Sequence, residues 1–147
     1  DLVIIEQKKP INTYAPISLN DDEVLFPEGE LVTVAGWGRT SEVGDRTNVP
    51  LHVALLVDSC GIWEPYVGQS SAQVALICAG CPEGGRDACQ EDSGGPLFAH
   101  TSVGYVQVGV VSFSAGCGRP DRPGAYVRIS NYARWIRCAA RLDESIH

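Results

Sequence analysis

The feature that most limits the fold is a repeating punctuation. Short apolar, β-branched runs alternate with Gly, Pro, Asn and Asp along nearly the whole chain. Runs of this kind, bounded by turn formers, read as strands. They are Leu2–Ile5, Leu31–Gly36, Leu51–Val57, Val74–Cys78, Tyr105–Ser112 and Ala125–Val127. Pro27-Glu28-Gly29, residues 41–50 and Arg119–Gly124 read as loops. Such a series favours an antiparallel barrel or sandwich. One segment departs from it. Tyr132, Trp135, Ile136, Ala139 and Ala140 follow helical spacing, which predicts a terminal amphipathic helix over Asn131–Leu142, with Ser130 or Asn131 placed to cap it. Residues 10–28 read as a connector, and the Asp21-Asp22-Glu23 cluster as solvated surface.

At 147 residues the chain can bury one real core. A formal charge of −7 excludes the basic footprint of a nucleic-acid binder. The acidic balance reads as solubility, with attraction of cationic substrates as a second reading. No apolar run is long enough to span a bilayer. Six cysteines point to an oxidising compartment. There is no Asn-x-Ser/Thr acceptor, no signal peptide and no initiator Met, so the expectation is a processed product or a fragment.

Residues 87–97, DACQEDSGGPL, carry the chemistry. A serine hydroxyl is a poor nucleophile until a base stands beside it and main-chain N–H groups await the oxyanion. Glycines next to a serine allow a sharp turn and close approach of a substrate. Cys89, four residues before Ser93, is placed to anchor that turn.

Together with this block, Asp1-Leu2-Val3-Ile4-Ile5, Ala35-Gly36-Trp37-Gly38, Ile77-Cys78-Ala79-Gly80, Val111-Ser112-Phe113, Arg122-Pro123-Gly124-Ala125-Tyr126 and the tail Tyr132-x-x-Trp135-Ile136 make the chain resemble the chymotrypsin/trypsin family of serine proteases over nearly its full length. The resemblance implies an all-β fold: an antiparallel Greek-key barrel, the second of two, followed by a C-terminal α-helix. Residues 1–25 would be the end of the first barrel and the inter-barrel connector. Residues 26–129 would be the second barrel with nucleophile and specificity pocket, and 130–147 the closing helix and tail. Most of the first barrel would be absent, and with it the family's catalytic histidine in its Ala-Ala-His-Cys context. His52, His100 and His147 lie in no such context and read as polar surface.

The resemblance assigns roles residue by residue. Ser93 is the nucleophile, and Asp1 the carboxylate that orients the histidine. Ser112 hydrogen-bonds that carboxylate and borders the pocket. The backbone N–H groups of Glu91 and Ser93 are the oxyanion donors. Asp92 is the carboxylate that pairs with the amino terminus made on zymogen cleavage, and is expected to be unpaired or solvated here. Asp87 sits at the base of the specificity pocket and selects a basic side chain. Ala88 replaces a common serine, which favours Arg over Lys. Phe113 and Tyr126 are pocket walls, Gly124 leaves the pocket open, and Ser114 narrows its rim.

Cys89–Cys117 and Cys60–Cys78 are the implied disulfides. Cys81 and Cys138 have no standard partner: they pair with each other, or Cys138 reaches the first barrel. Zinc at Cys78-x-x-Cys81 is disfavoured because Cys78 is already used, so no metal and no cofactor is expected.

The main departure is Glu91, where the family nearly always has glycine. Either the side chain points outward and tunes substrate and inhibitor fit, or the oxyanion site is impaired at a cost of about 10²–10³ in rate. The first gives a working, secreted, trypsin-like endopeptidase cleaving proteins and peptides after Arg or Lys, with proteinaceous protease inhibitors as further partners and neither nucleic acid nor membrane. The second gives a weakened or inactive homologue acting as a binding, inhibitor or decoy protein.

Overall fold

The computed structural model describes residues 2–21 and 26–140. Strands β1 (Ser18–Leu19), β2 (Leu31–Gly36), β3 (Leu51–Asp58), β4 (Leu76–Gly80), β5 (Pro96–Thr101), β6 (Gly104–Phe113) and β7 (Gly124–Arg128) are joined by short helices α1 (Glu64–Val67) and α2 (Gln69–Ala75). The chain then runs into α3 (Ile129–Ala139).

Strands β6, β5, β2, β3, β4 and β7 pair in that order, and β7 pairs back onto β6. The result is a closed antiparallel barrel with a C-terminal helix. Closure leaves no free ladder edge among these six strands. Strand β1 adds to β6 in parallel, Ser18 opposite Val106.

Alternation explains the barrel. In β2, Val32 and Val34 point inward, and in β3 Leu55 and Val57 do so, while Leu31, Leu56 and Asp58 face out. Strand β4 is buried along its whole length. Leu97, Val108 and Tyr126 complete the core. A smaller cluster of Trp63, Leu76, Cys78 and Ala125 lies behind β7, where the Trp63 indole N–H donates to the Pro123 carbonyl at 3.1 Å. The Phe113 ring meets Trp63 edge-on, centroids 5.0 Å apart.

Several expectations are corrected. Leu2–Ile5 forms no strand: Val3 and Ile5 are exposed, and no described strand pairs with them. Val74 and Ala75 close α2, so β4 starts at Leu76. The final helix starts at Ile129, two residues before the expected Asn131. Ser130 therefore lies inside its first turn and caps nothing, and its hydroxyl is buried without a hydrogen-bond partner.

Candidate active site

The segment between β4 and β5 presents Ser93. Its turn is held by the Asp92 N–H to Cys89 carbonyl bond (3.1 Å) and the Gly95 N–H to Asp92 carbonyl bond (2.8 Å). Gly94 N–H donates to Val111 O, and Val111 N–H returns a bond to Gly95 O, both at 2.9 Å. These bonds tie the turn to β6 and leave Ser93 exposed. The N–H groups of Glu91 and Ser93 have no acceptor among the described residues. Two free main-chain donors flank Asp92, whose own N–H is used.

Ser93 opens onto a cavity of about 210 Å³. Ala88, Ser112, Phe113, Ser114, Gly124 and Tyr126 line it, and Asp87 lies within it. Ser112 sits where the β6–β7 register slips between Val111 and Phe113, an irregularity of the kind that re-aims side chains. The Ser114 hydroxyl donates to the carbonyl of Gly116 in its own loop. A Cβ on Gly124 would lie 3.0 Å from Asp87 Oδ1 and 3.3 Å from the Tyr126 ring. A larger residue there would fill the space in front of the carboxylate.

The Asp87 carboxylate accepts the Ala88 N–H at 2.8 Å and the Gly118 N–H at 3.1 Å. Burial pushes its pKa up to about 6, against the lowering effect of those two amides; the nearby Asp92 charge adds to the rise. No cationic side chain pairs with it among the described residues. The Tyr126 hydroxyl is held above its usual range, chiefly by burial and then by the charges of Asp87 and Asp92. A half-desolvated carboxylate with no counter-ion, at the side of an open cavity, is suited to a cationic ligand.

Asp92 faces a different part of the molecule: no cationic side chain pairs with it among the described residues, and two main-chain amides hold its carboxylate. Oδ1 accepts the Gly38 N–H at 2.8 Å and Oδ2 the Cys89 N–H at 3.0 Å. A methyl group on Gly36 or Gly38 would overlap this carboxylate, which is why Ala35-Gly36-Trp37-Gly38 needs both glycines. A second cavity, about 350 Å³, opens here and is bordered by Gly36, Gly38, Asp87 and Asp92.

Glu91 holds φ at 77°, in the left-handed region that favours glycine. Its carboxylate meets Arg39 (Nε to Oε1, 3.4 Å) and the Nε of Arg46. Arg39 and Arg46 face each other across a bridge that closes the lobe between β2 and β3. From the same lobe Glu42 reaches Arg119 and the Cys117 N–H. Nothing in the sequence marked Arg39, Glu42, Arg46 or Arg119, because each acts on a partner far along the chain.

Disulfides join Cys60 to Cys78 and Cys89 to Cys117, the latter tying the serine segment to the pocket loop. Cys81 and Cys138 are free thiols. Among the described residues no group of three or more His, Cys, Asp or Glu could hold a metal. Asp1 and His147 lie outside the described residues. His52 is exposed on β3, and His100 packs edge-on against Tyr105; neither lines the Ser93 cavity.

Residues 1–136 match the family model described as Trypsin. The chain is 34% identical over 140 residues to the vitellin-degrading protease of Bombyx mori, covering 92% of this chain and 52% of that protein. It is 43% identical over 130 residues to Trypsin-1 of Astacus astacus, covering 88% of this chain and 54% of that protein. The chain thus spans about half the length of the curated relatives it matches.

Proposed function

The chain belongs to the trypsin family of serine proteases, and on that premise we propose that it is the nucleophile-bearing half of a secreted endopeptidase that cleaves protein substrates after Arg or Lys. One observation carries the reading: Ser93 and the uncompensated Asp87 carboxylate share a single cavity, and the main-chain N–H groups on either side of Asp92 have no acceptor among the described residues. Residues 1–25 are then the end of a first barrel and the connector, 26–129 the second barrel, and 130–147 the closing helix and tail.

In this mechanism the basic side chain of the substrate enters the cavity and pairs with Asp87. Ser93 Oγ attacks the adjacent carbonyl carbon. Its proton passes to a histidine supplied from outside these residues and oriented by Asp1. The N–H groups of Glu91 and Ser93 hold the resulting oxyanion. The histidine gives its proton to the departing amine, the C–N bond breaks, and an acyl ester remains on Ser93. Water, deprotonated by the same histidine, attacks that ester. Acid is released, and Ser93 recovers its proton. No cofactor enters the cycle.

Asp92, half-buried against Gly36 and Gly38, is the carboxylate that would meet a newly formed amino terminus entering the 350 Å³ cavity. Ala88 offers no hydroxyl to an ammonium, which supports preference for Arg over Lys. Secretion is supported by the two disulfides. No helix among the described residues is long and apolar enough to cross a membrane. Protein substrates and proteinaceous inhibitors are the partners that fit such a cleft.

Paired arginyl and lysyl peptide substrates test the reading on the complete protein. Cleavage of both with the arginyl substrate preferred is the expected result. Equal or lysine-favouring rates overturn the preference, and cleavage of neither overturns the reading.

A further inference from the structure

Glycine is the ordinary occupant of an oxyanion-donor position for two reasons: it tolerates a positive φ, and it brings no charge near the developing anion. Glu91 lacks both advantages. Its φ of 77° is one that side chains rarely adopt. An unpaired carboxylate two residues from Ser93 would oppose negative charge on the carbonyl oxygen.

The lobe closed by the Arg39–Arg46 bridge answers both problems. Arg39 N–H donates to the Gln90 carbonyl at 2.9 Å. Gln90 C=O and Glu91 N–H belong to one planar trans peptide, so they point in opposite directions. A bond that fixes the carbonyl toward the lobe therefore fixes the Glu91 N–H away from it, where it meets no acceptor among the described residues. The side chain is held as well. Arg39 Nε lies 3.4 Å from Glu91 Oε1, and Arg46 Nε contacts Oε2. Two guanidinium groups and one carboxylate sum to a net positive trio, whose field favours an oxyanion.

Resting on the reading of Ser93 as nucleophile, we infer that Arg39 and Arg46 are positioning residues that hold the Glu91 carboxylate out of the oxyanion site and let a residue other than glycine supply its amide. Their contacts are with Glu91 and the Gln90 carbonyl, not with Ser93. Their action is on rate through Glu91. Binding in the 210 Å³ cavity that Ser93 shares with Asp87 should not depend on them, since neither lines it; Arg39 borders the separate 350 Å³ cavity.

The test uses the complete protein and an arginyl peptide amide. Replacing both arginines by alanine lowers kcat about 10–100-fold and leaves KM within about threefold. Adding Glu91→Gln to that variant removes the opposing charge and returns kcat to within about threefold of the parent. Lysine at both positions keeps the charges and most of the rate. A purely structural role of the lobe would not be repaired by Glu91→Gln. If the alanine pair fails to fold, glutamine at both positions keeps the stems and is read in the same way. No loss of kcat, a loss that Glu91→Gln leaves in place, or a loss confined to KM overturns the inference while the protease reading stands. A parent protein that cleaves nothing overturns both.

Discussion

Glu42 receives the guanidinium of Arg119 through two parallel bonds, Nε to Oε1 at 2.8 Å and Nη2 to Oε2 at 3.0 Å, across 77 residues of chain. The same Oε1 accepts the Cys117 N–H at 3.0 Å. The loop so anchored gives Asp87 its Gly118 N–H and is bonded to Cys89. The lobe after β2 therefore reaches the specificity cavity as well as Glu91.

Glu42→Ala should loosen that loop. The expected outcome is a rise of about two- to tenfold in KM for an arginyl substrate with kcat less affected. The Arg119 hydrogen bond is the largest reason that Glu42 is held down at about 2. A carboxylate lowered in the folded state contributes fully above its ordinary value and loses its contribution as pH falls toward the lowered one. The anchor should therefore hold throughout neutral pH and weaken only in acid, between about 4.5 and 2. Amide hydrogen exchange at Cys117 and Gly118 over that range, compared with Glu42→Ala, checks it without relying on the ionised form of Asp87.

Asp87 titrates in the opposite sense. Its value of about 6 is above the ordinary 3.8, with burial as the leading cause. Between those values the folded chain holds more of this proton than the unfolded chain, so this group's contribution to stability falls as pH rises from about 4 to about 6. Cation binding needs the ionised form. Affinity for an aryl amidine should be constant above about pH 7 and drop by about tenfold per unit well below 6. Isothermal titration across that range is the check, and Asp87→Asn should abolish the dependence.

Gly36→Ala places a methyl group on the Asp92 carboxylate. The carboxylate must move, and its bonds to Gly38 N–H and Cys89 N–H go with it. Because Asp92 immediately precedes Ser93, the turn that presents the hydroxyl shifts too. A loss of more than about tenfold in Ser93 acylation is expected, since small misplacements of a nucleophile cost about 10²-fold. A variant that folds and acylates at the parent rate would contradict this packing.

The two disulfides should separate stability from binding. Their sequence separations are 18 for Cys60–Cys78 and 28 for Cys89–Cys117. Replacing either pair by alanine should cost about 3–4 kcal/mol in denaturant unfolding. Only loss of Cys89–Cys117 should also weaken amidine affinity, because only that bridge fastens the loop carrying Gly118.

How far the sequence was readable follows from the range of each signal. Leu31–Gly36 falls where it was expected because Val32 and Val34 alternate with residues facing out. Pro96–Thr101 was missed as a strand because Gly94-Gly95-Pro96 reads as a loop; proline is tolerated there as the first strand residue. Residues 61–75 hid their short helices because Gly61, Pro65 and Gly68 interrupt any periodicity, and Val74 pulled the β4 boundary upstream. The cavity residues were reached through a resemblance in short motifs. Glu91 stood out by its residue type, but its two arginines did not: Arg39 lies 52 residues away. Pairing at that range leaves no local pattern to read.

The most direct measurement is fluorophosphonate labelling of the complete protein, with the adduct mapped by mass spectrometry. The expected result is one equivalent of label on Ser93, protected by an aryl amidine bound at Asp87 and absent from Ser93→Ala. A folded protein that binds the amidine yet leaves Ser93 unmodified would contradict it.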